Sequence, residues 1–174
     1  MGMIGFVLGI ILVWYLVVDL DSNAQSVMNE CLENLYTISD YNEIDYILEK
    51  QDEIKNNGTL EMYNDFMNFG FQEYCTDNCL SLIMKNRIYL RYRHAPKAKK
   101  FTVSVKSIKF KEESKIIEQN LEGYLYHVDL KINYMEAGNS EIVSEEGFIS
   151  VKTDAGSWKV DAIEPVGILD VFKY

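Results

Sequence analysis

The feature that most constrains the fold is a long alternation of apolar and mostly polar side chains between Tyr124 and Tyr134. A period of two along the chain predicts a β-strand with one face buried and the other in contact with water. About eleven residues take part, which is long for a strand, so this segment should lie within a sheet. The apolar set consists of Tyr124, Tyr126, Val128, Leu130, Ile132 and Tyr134.

Three further strands are predicted around it. Apolar residues before Arg87 have the spacing of helices, whereas from Arg87 onward they recur with a period of two. Phe101, Val103 and Val105 alternate, and the phase then slips by one residue, which predicts a β-bulge near Lys106 and Ser107. Residues 137–139 (Ala-Gly-Asn) predict a hairpin into a strand that ends at Val151. Residues 154–156 (Asp-Ala-Gly) predict a turn into the last strand, Ser157 to Glu164, which Pro165 ends.

The segment before the strands has the spacing of helices. Val27, Cys31, Leu35 and Ile38 are separated by four, four and three residues, so they share one helix face. Capping residues predict where the next helices begin, at Ser39, at Thr59 and at Thr76-Asp77. Helices followed by consecutive antiparallel strands predict an α+β fold in which the helices pack on one face of a curved antiparallel sheet, forming a cone.

The N-terminus predicts a membrane anchor in residues 1–20. Met3 to Val18 contains no charged residue, and 18 apolar residues in a helix span about 27 Å, close to the hydrocarbon thickness of a bilayer. Trp14 and Tyr15 lie near one end of the run, where aromatic side chains favour the interface. A cleaved signal peptide is the alternative, since Ser22-Asn23-Ala24 offers a cleavage site. Under either interpretation residues 21–174 form a domain outside the cytoplasm, and a retained anchor, the favoured interpretation, holds that domain at the cell membrane.

Between Ser26 and Pro165 the order of elements resembles the nuclear-transport-factor-like, or cystatin-like, superfamily. The residues that carry the resemblance are Tyr74-Cys75-Thr76-Asp77 before a short helix, the long strands, and the closing segment from Gly156 to Asp161. The resemblance implies helices packed in the concavity of a bent sheet. It also implies two classes of function, since the superfamily contains isomerases and cyclases as well as membrane-anchored assembly subunits of secretion and conjugation machines.

Charge is distributed unevenly along the chain. Asp19 to Asp77 contains 14 acids and two lysines, whereas Lys85 to Lys115 contains 11 Lys or Arg residues and two acids. The net charge of −10 argues against binding to nucleic acid. The cations flank Pro96 in what the pattern indicates is a connection between strands, so they are expected to be solvated and available to a partner. The alternative is that they offset the charge of the acidic helices. The candidate partner-binding residues are Arg91, Arg93, Lys97, Lys99 and Lys100.

Motifs for chemistry are weak, and we expect no catalytic, cofactor-binding or metal-binding residues. His127 and Asp129 share one strand face that points away from the core, and His94 lies among cations, a poor setting for a general base. Cys75 and Cys79 are four residues apart and form a possible disulfide, whereas Cys31 is expected to be a small buried apolar side chain.

Two functions from different classes fit these observations. The first is a non-enzymatic binding or assembly module that contacts protein partners or further copies of itself, as a subunit of a secretion or conjugation machine. The second is a cone that binds or transforms a small molecule in a pocket lined by aromatic side chains. Aromatic residues of the helices and the sheet could form that pocket or fill the core, and filling the core is the favoured interpretation.

Overall fold

The computed structural model of the protein describes residues 22–67, 69–116, 121–167 and 169–173. The helices come first: α1 (22–36), α2 (Glu43–Asn57), α3 (Leu60–Met67), α4 (Asp77–Lys85) and α5 (Ile88–Lys99). The strands follow: β1 (Phe101–Ile116), β2 (Leu121–Tyr134), β3 (Ser140–Asp154) and β4 (Ser157–Pro165). Short 3-10 turns lie at Phe71–Glu73 and Asp170–Phe172.

The strands form one antiparallel sheet in the order β1-β2-β3-β4. The register of β1 on β2 shifts between Val105 and Ser107, which confirms the predicted bulge. The β3–β4 connection places Ala155 and Gly156 at φ values of 49° and 85°, a geometry that matches the twist of a tight hairpin. The α+β plan with helices against a curved antiparallel sheet is therefore confirmed.

The core lies between the helices and one face of the sheet. Between Tyr126 and Ile132 of β2 every second residue is buried, as the alternation predicts: Tyr126, Val128, Leu130 and Ile132. Cys31 and Leu35 of α1 are fully buried, and Ile38 is buried just beyond the helix. Ile38 also pairs with Val103 through two backbone hydrogen bonds of 2.9 and 3.0 Å, so α1 is attached directly to the edge strand β1.

Residues 88–99 form a helix, so the prediction of a strand-like period from Arg87 was wrong. The buried positions Ile88, Tyr92 and Ala95 are separated by four and three residues, which is a helical spacing. Over these five residues the positions of Ile88, Leu90 and Tyr92 fit the period of two of a strand as well as the period of a helix. Pro96, which we placed in a connection between strands, lies inside the last turns of α5.

The start of α2 also differs from prediction. The helix begins at Glu43, four residues after Ser39, because the pairing of Ile38 with Val103 keeps the chain extended there. The predicted caps at Thr59 and Thr76 are confirmed. The hydroxyl of Thr59 accepts a hydrogen bond from the backbone N–H of Met62 at 3.2 Å, and that of Thr76 accepts from Cys79 at 3.3 Å.

The predicted anchor, residues 1–20, lies outside the described residues. Within the part of the chain that the structure describes, no helix is both long enough and apolar enough to cross a membrane.

Candidate functional site

A groove of about 780 Å³ runs between α2, α3 and the turn that joins α4 to α5. Four apolar side chains, Leu48, Met67, Met84 and Leu90, form what we call its floor, and the lining also includes Gln51, Tyr63, Asn86 and His94. Methionine side chains are flexible and polarisable, so a floor of this kind can adapt to differently shaped apolar groups. We call this feature the cationic groove, because of the residues along its rim.

The rim carries four exposed cations, Lys55, Lys85, Arg87 and Arg91. They converge because α4 ends at Lys85 and α5 begins at Ile88, so the turn between them projects Lys85 and Arg87 to the same end of the helical layer. Arg91 follows one turn into α5 and donates a hydrogen bond to the carbonyl of Asn86 at 3.2 Å.

These rim cations have no acidic partner in the part of the chain that the structure describes. Among the residues that the structure describes, no ion pair joins Lys55, Lys85, Arg87 or Arg91 to a carboxylate. An apolar floor with an uncompensated positive rim is the chemical complement of an anionic group attached to an apolar one.

Arg93, one of the five predicted partner-binding residues, is only 2% exposed, so the expectation that it is available to a partner was wrong. Its guanidinium lies beneath α1, where it donates hydrogen bonds to the carbonyls of Leu35 at 2.6 Å, Asn34 at 3.1 Å and Thr37 at 3.2 Å. Asn34 and Leu35 lie in the last turn of α1, where carbonyls have no intrahelical partner, and Thr37 directly follows the helix. Arg93 is therefore a structural cap for that helix.

Two further contacts hold the Arg93 guanidinium. It lies over the ring of Tyr89, 3.4 Å from the centroid, and 3.5 Å from the carboxylate of Glu43. Burial lowers the pKa of Arg93, and these contacts offset part of that cost.

The other four candidates are exposed but differ in their partners. Lys97 pairs with Asp45 of α2, Lys100 pairs with Glu136, and Lys99 donates to the backbone carbonyl of Val171 at 3.0 Å. They offset acids and hold the C-terminal segment within the molecule. Only Arg91 of the five lines the cationic groove.

A cluster of buried polar side chains occupies the opposite side of α5. Tyr36 of α1, Tyr92 of α5, Tyr126 of β2 and Glu145 of β3 meet in the core, and all four are at most 4% exposed. The hydroxyls of Tyr36 and Tyr126 lie 2.9 Å apart, and the hydroxyl of Tyr92 donates to Oε1 of Glu145. We call this set the interior polar cluster.

Burial controls the protonation of the cluster. It raises the pKa of Glu145 to about 7, although hydrogen bonds from Tyr92 and Tyr36 oppose the rise, and it raises the pKa of all three tyrosines. Oε2 of Glu145 is buried and accepts no hydrogen bond. Glu145 also borders an open cavity of about 320 Å³, whose lining includes His127 and Glu146 as well as Val166 and Leu169. A carboxyl near neutrality beside a cavity is a setting in which acid–base chemistry is possible.

All three cysteines are buried free thiols, and they lie together. The sulfurs of Cys31 and Cys75 are 3.8 Å apart, which the sequence did not indicate because 44 residues separate them. Hydrogen bonding between the thiols, with burial, raises the pKa of Cys75 and Cys79, so neither is an activated nucleophile. The Cys75–Cys79 disulfide stays a prediction. Among the described residues no group of three His, Cys, Asp or Glu side chains could hold a metal ion.

His127 and Asp129 share the outer face of the sheet, as predicted. The His127 ring lies 3.2 Å from Asp129 and 3.2 Å from Glu146. Hydrogen bonds from Ser107 and Ser144, both 2.6 Å, hold the pKa of Asp129 down at about 2. A carboxylate stabilised in this way is a weak base, which makes Asp129 a poor general base.

The sequence did not predict the cationic groove or the interior polar cluster. Lys55, Lys85 and Arg87 come from three different elements of the fold. Glu145 lies in strand β3, two residues before Gly147, and no motif marks it as a functional residue. One signal was present: a glycine at 147 in a strand indicates close approach of another group. The Tyr126 hydroxyl would lie 2.3 Å from a Cβ at that position.

No protein-family model matches the chain, and no curated protein matches it. Among solved structures the chain is similar to TraH, described as a transfer protein of the Gram-positive conjugative plasmid pIP501. The identity is 12% and the TM-score 0.45, over 86% of this chain and 95% of that one. It is also similar to the intermembrane space region of the chloroplast protein ARC6, with 11% identity and a TM-score of 0.39, over 74% of this chain and 98% of that one. At these scores neither similarity bears on function, and membership of the nuclear-transport-factor-like superfamily is not shown.

Proposed function

We propose that the protein is a non-enzymatic binding module, attached to the membrane by residues 1–20 with its domain outside the cytoplasm, that holds a protein partner in the cationic groove. The occupant is an acidic, amphipathic segment. The observation that carries this proposal is the uncompensated positive rim around an apolar floor. A role as a subunit of a secretion or conjugation machine stays a prediction.

Electrostatic and apolar contributions are expected to act together in this site. The floor residues Met67 and Leu90 are 6% and 8% exposed, so they are already largely covered within the molecule, whereas Leu48 is 42% exposed and offers apolar surface for a partner to cover. Rim cations attract and orient an acidic segment, and burial of apolar groups on the floor supplies the binding free energy.

The test uses an acidic amphipathic helical peptide, with leucine at every third or fourth position and glutamate elsewhere on its surface, and a twin with lysine in place of glutamate. Fluorescence anisotropy with the full-length protein in a mild detergent should show binding of the acidic peptide alone. Binding should weaken as salt rises, because exposed charges are screened within about 8 Å at physiological ionic strength.

A pair of variants with equal charge change locates the site. Arg87→Glu with Arg91→Glu reverses two rim cations, and we expect binding at least about tenfold weaker. Lys106→Glu with Lys109→Glu reverses two exposed cations of β1 and should leave binding unchanged. Equal binding by both variants, or failure of the unaltered protein to bind the acidic peptide, would show that the groove is not the site.

A small-molecule or catalytic cone remains a second candidate, and the contact between Tyr92 and Glu145 beside a cavity favours it. For this function a neutral hydrogen-bonding ring such as 1-naphthol should bind to the protein, and Glu145→Gln should weaken that binding. The groove variant should bind 1-naphthol as the unaltered protein does. Loss of binding in the groove variant with no effect of Glu145→Gln would remove the second candidate.

A further inference from the structure

The helical layer carries a second surface, formed by Tyr46 and Glu49 of α2 and by Met62, Asp65 and Phe66 of α3. Tyr46 is 62% and Met62 is 54% exposed, high values for large apolar side chains. The rings of Tyr46 and Phe66 meet edge to face at 6.5 Å, and Met62 lies one helical turn before Phe66. These side chains form an apolar stripe across the two helices.

Acidic side chains flank the stripe. Glu49 lies three residues after Tyr46, and Asp65 lies three residues after Met62, so each acid projects on the same side of its helix as the apolar residue before it. Among the described residues neither Glu49 nor Asp65 forms an ion pair. We call the five residues the acidic ridge.

The acidic ridge and the cationic groove are complementary in character. The ridge has exposed apolar groups with unpaired anions beside them, and the groove has an apolar floor with unpaired cations around it. Tyr46 of the ridge and Leu48 of the groove are two residues apart on α2, about 200° around the helix, so the two surfaces face different directions. A chain therefore cannot place its ridge in its own groove, whereas a second copy can.

We propose that the occupant of the cationic groove is the acidic ridge of a second copy of this chain. The inference rests on the proposed function of the groove. Tyr46 and Met62 of one copy cover the floor around Leu48 and Met84 of the other, and Glu49 and Asp65 meet Arg87 and Arg91. Because the two surfaces differ, the contact is heterologous, and each added copy presents a free groove or ridge to the next. Such copies build a ring or an open filament.

Sedimentation velocity of the full-length protein in a mild detergent tests this. The groove variant Arg87→Glu/Arg91→Glu and the ridge variant Glu49→Lys/Asp65→Lys should each sediment as a smaller species than the unaltered protein. A mixture of the two variants should regain a larger species, because the first retains an intact ridge and the second an intact groove. Lys106→Glu/Lys109→Glu should sediment as the unaltered protein does.

Self-association that the ridge variant leaves unchanged, or a mixture that stays as small as its components, would overturn the inference. In that case the acidic peptide separates the two proposals. If it still binds to the groove and the groove variant loses it, the groove takes an acidic partner other than this chain, and the proposed function stands. If it fails to bind as well, both proposals are wrong.

Discussion

Helix α5 carries two arginines, Arg91 and Arg93, that lie two residues apart in opposite environments. Arg93 points towards the C-terminal end of α1, where three backbone carbonyls, the ring of Tyr89 and Glu43 surround its guanidinium. Arg91 points to the helical layer, where it lines an open groove beside other cations. Residue type and neighbouring sequence are nearly the same, yet one arginine holds the fold together and the other is available for binding.

The difference extends to the regions on either side of α5. The interior polar cluster satisfies most of its polar atoms internally, so a change there should act on stability. The rim of the cationic groove has polar atoms that only solvent or a partner can satisfy, so a change there should act on binding. The following predictions test that division, from the largest expected effect to the smallest.

Replacement of Arg93 by Met should lower the free energy of unfolding by about 3–5 kcal/mol, because the carbonyls of Leu35, Asn34 and Thr37 lose their donors in a buried site. Urea denaturation at constant pH measures the change. The matched variant Arg91→Met should differ from the unaltered protein by less than about 0.5 kcal/mol. Equal effects of the two substitutions would show that Arg91 and Arg93 do not differ in what they contribute to stability.

Glu145 should make stability depend on pH. Its pKa is about 7 in the folded protein and near 4.5 when unfolded, so the folded state binds more protons in that window. The contribution of Glu145 to stability is therefore greatest below about pH 4.5, and it is lost as the pH rises to about 7. We expect the free energy of unfolding to fall by about 2–3 kcal/mol between pH 5 and pH 8. This is less than the full effect of the pKa shift, because part of the loss takes place below pH 5.

The control is Glu145→Gln, which has no proton to lose and should show a smaller loss over the same range in urea denaturation. Other titrating groups are common to both proteins and cancel in the difference. If the two pH profiles are parallel, Glu145 is ionised in the folded protein and the cluster is not closed to water.

Gly147→Ala should cost about 1–3 kcal/mol, because the added methyl group would lie 2.3 Å from the hydroxyl of Tyr126, inside contact distance. A double-mutant cycle checks the cause. In a Tyr126→Ala background the same substitution should cost far less. A cost that is the same in both backgrounds would mean that glycine is needed at 147 for another reason.

The smallest expected effect is that of Arg87→Glu/Arg91→Glu on stability. Both residues are exposed, and both lie at the N-terminal end of α5, where negative charge is favourable. The free energy of unfolding should change by less than about 0.5 kcal/mol, although peptide binding to the groove is weakened. A large loss of stability would place these cations among the structural ones, with Arg93.

Much of the fold could be predicted from local pattern. The alternation in β2, the bulge after Val105 and the cap at Thr76 each depend on a few neighbouring residues, and each is confirmed. Helix α5 could not be predicted in the same way. Its first five residues fit both periods, and Pro96 suggested a connection because proline is rare inside helices.

The candidate site was predicted less well than the fold. Five cations were put forward for partner binding. Arg91 lies on the groove, Arg93 is buried, Lys97 and Lys100 are paired with acids, and Lys99 holds the C-terminal segment. Charge along the chain shows which residues are cationic. It does not show which carboxylates or carbonyls the fold brings to them, since Asp45 and Val171 are 52 and 72 residues away from their lysines.

The sequence by itself determined the α+β class, the phase of the strands and the segregation of acids and cations, because these follow from side-chain periodicity and from residue type. Only the tertiary structure decided which cations are buried, which are paired and which are left around the groove. It also decided that Tyr36, Tyr92, Tyr126 and Glu145 meet in the core and that Cys31 lies beside Cys75. Contacts of this kind depend on how α1, α5 and the sheet pack, and packing joins residues that are far apart along the chain.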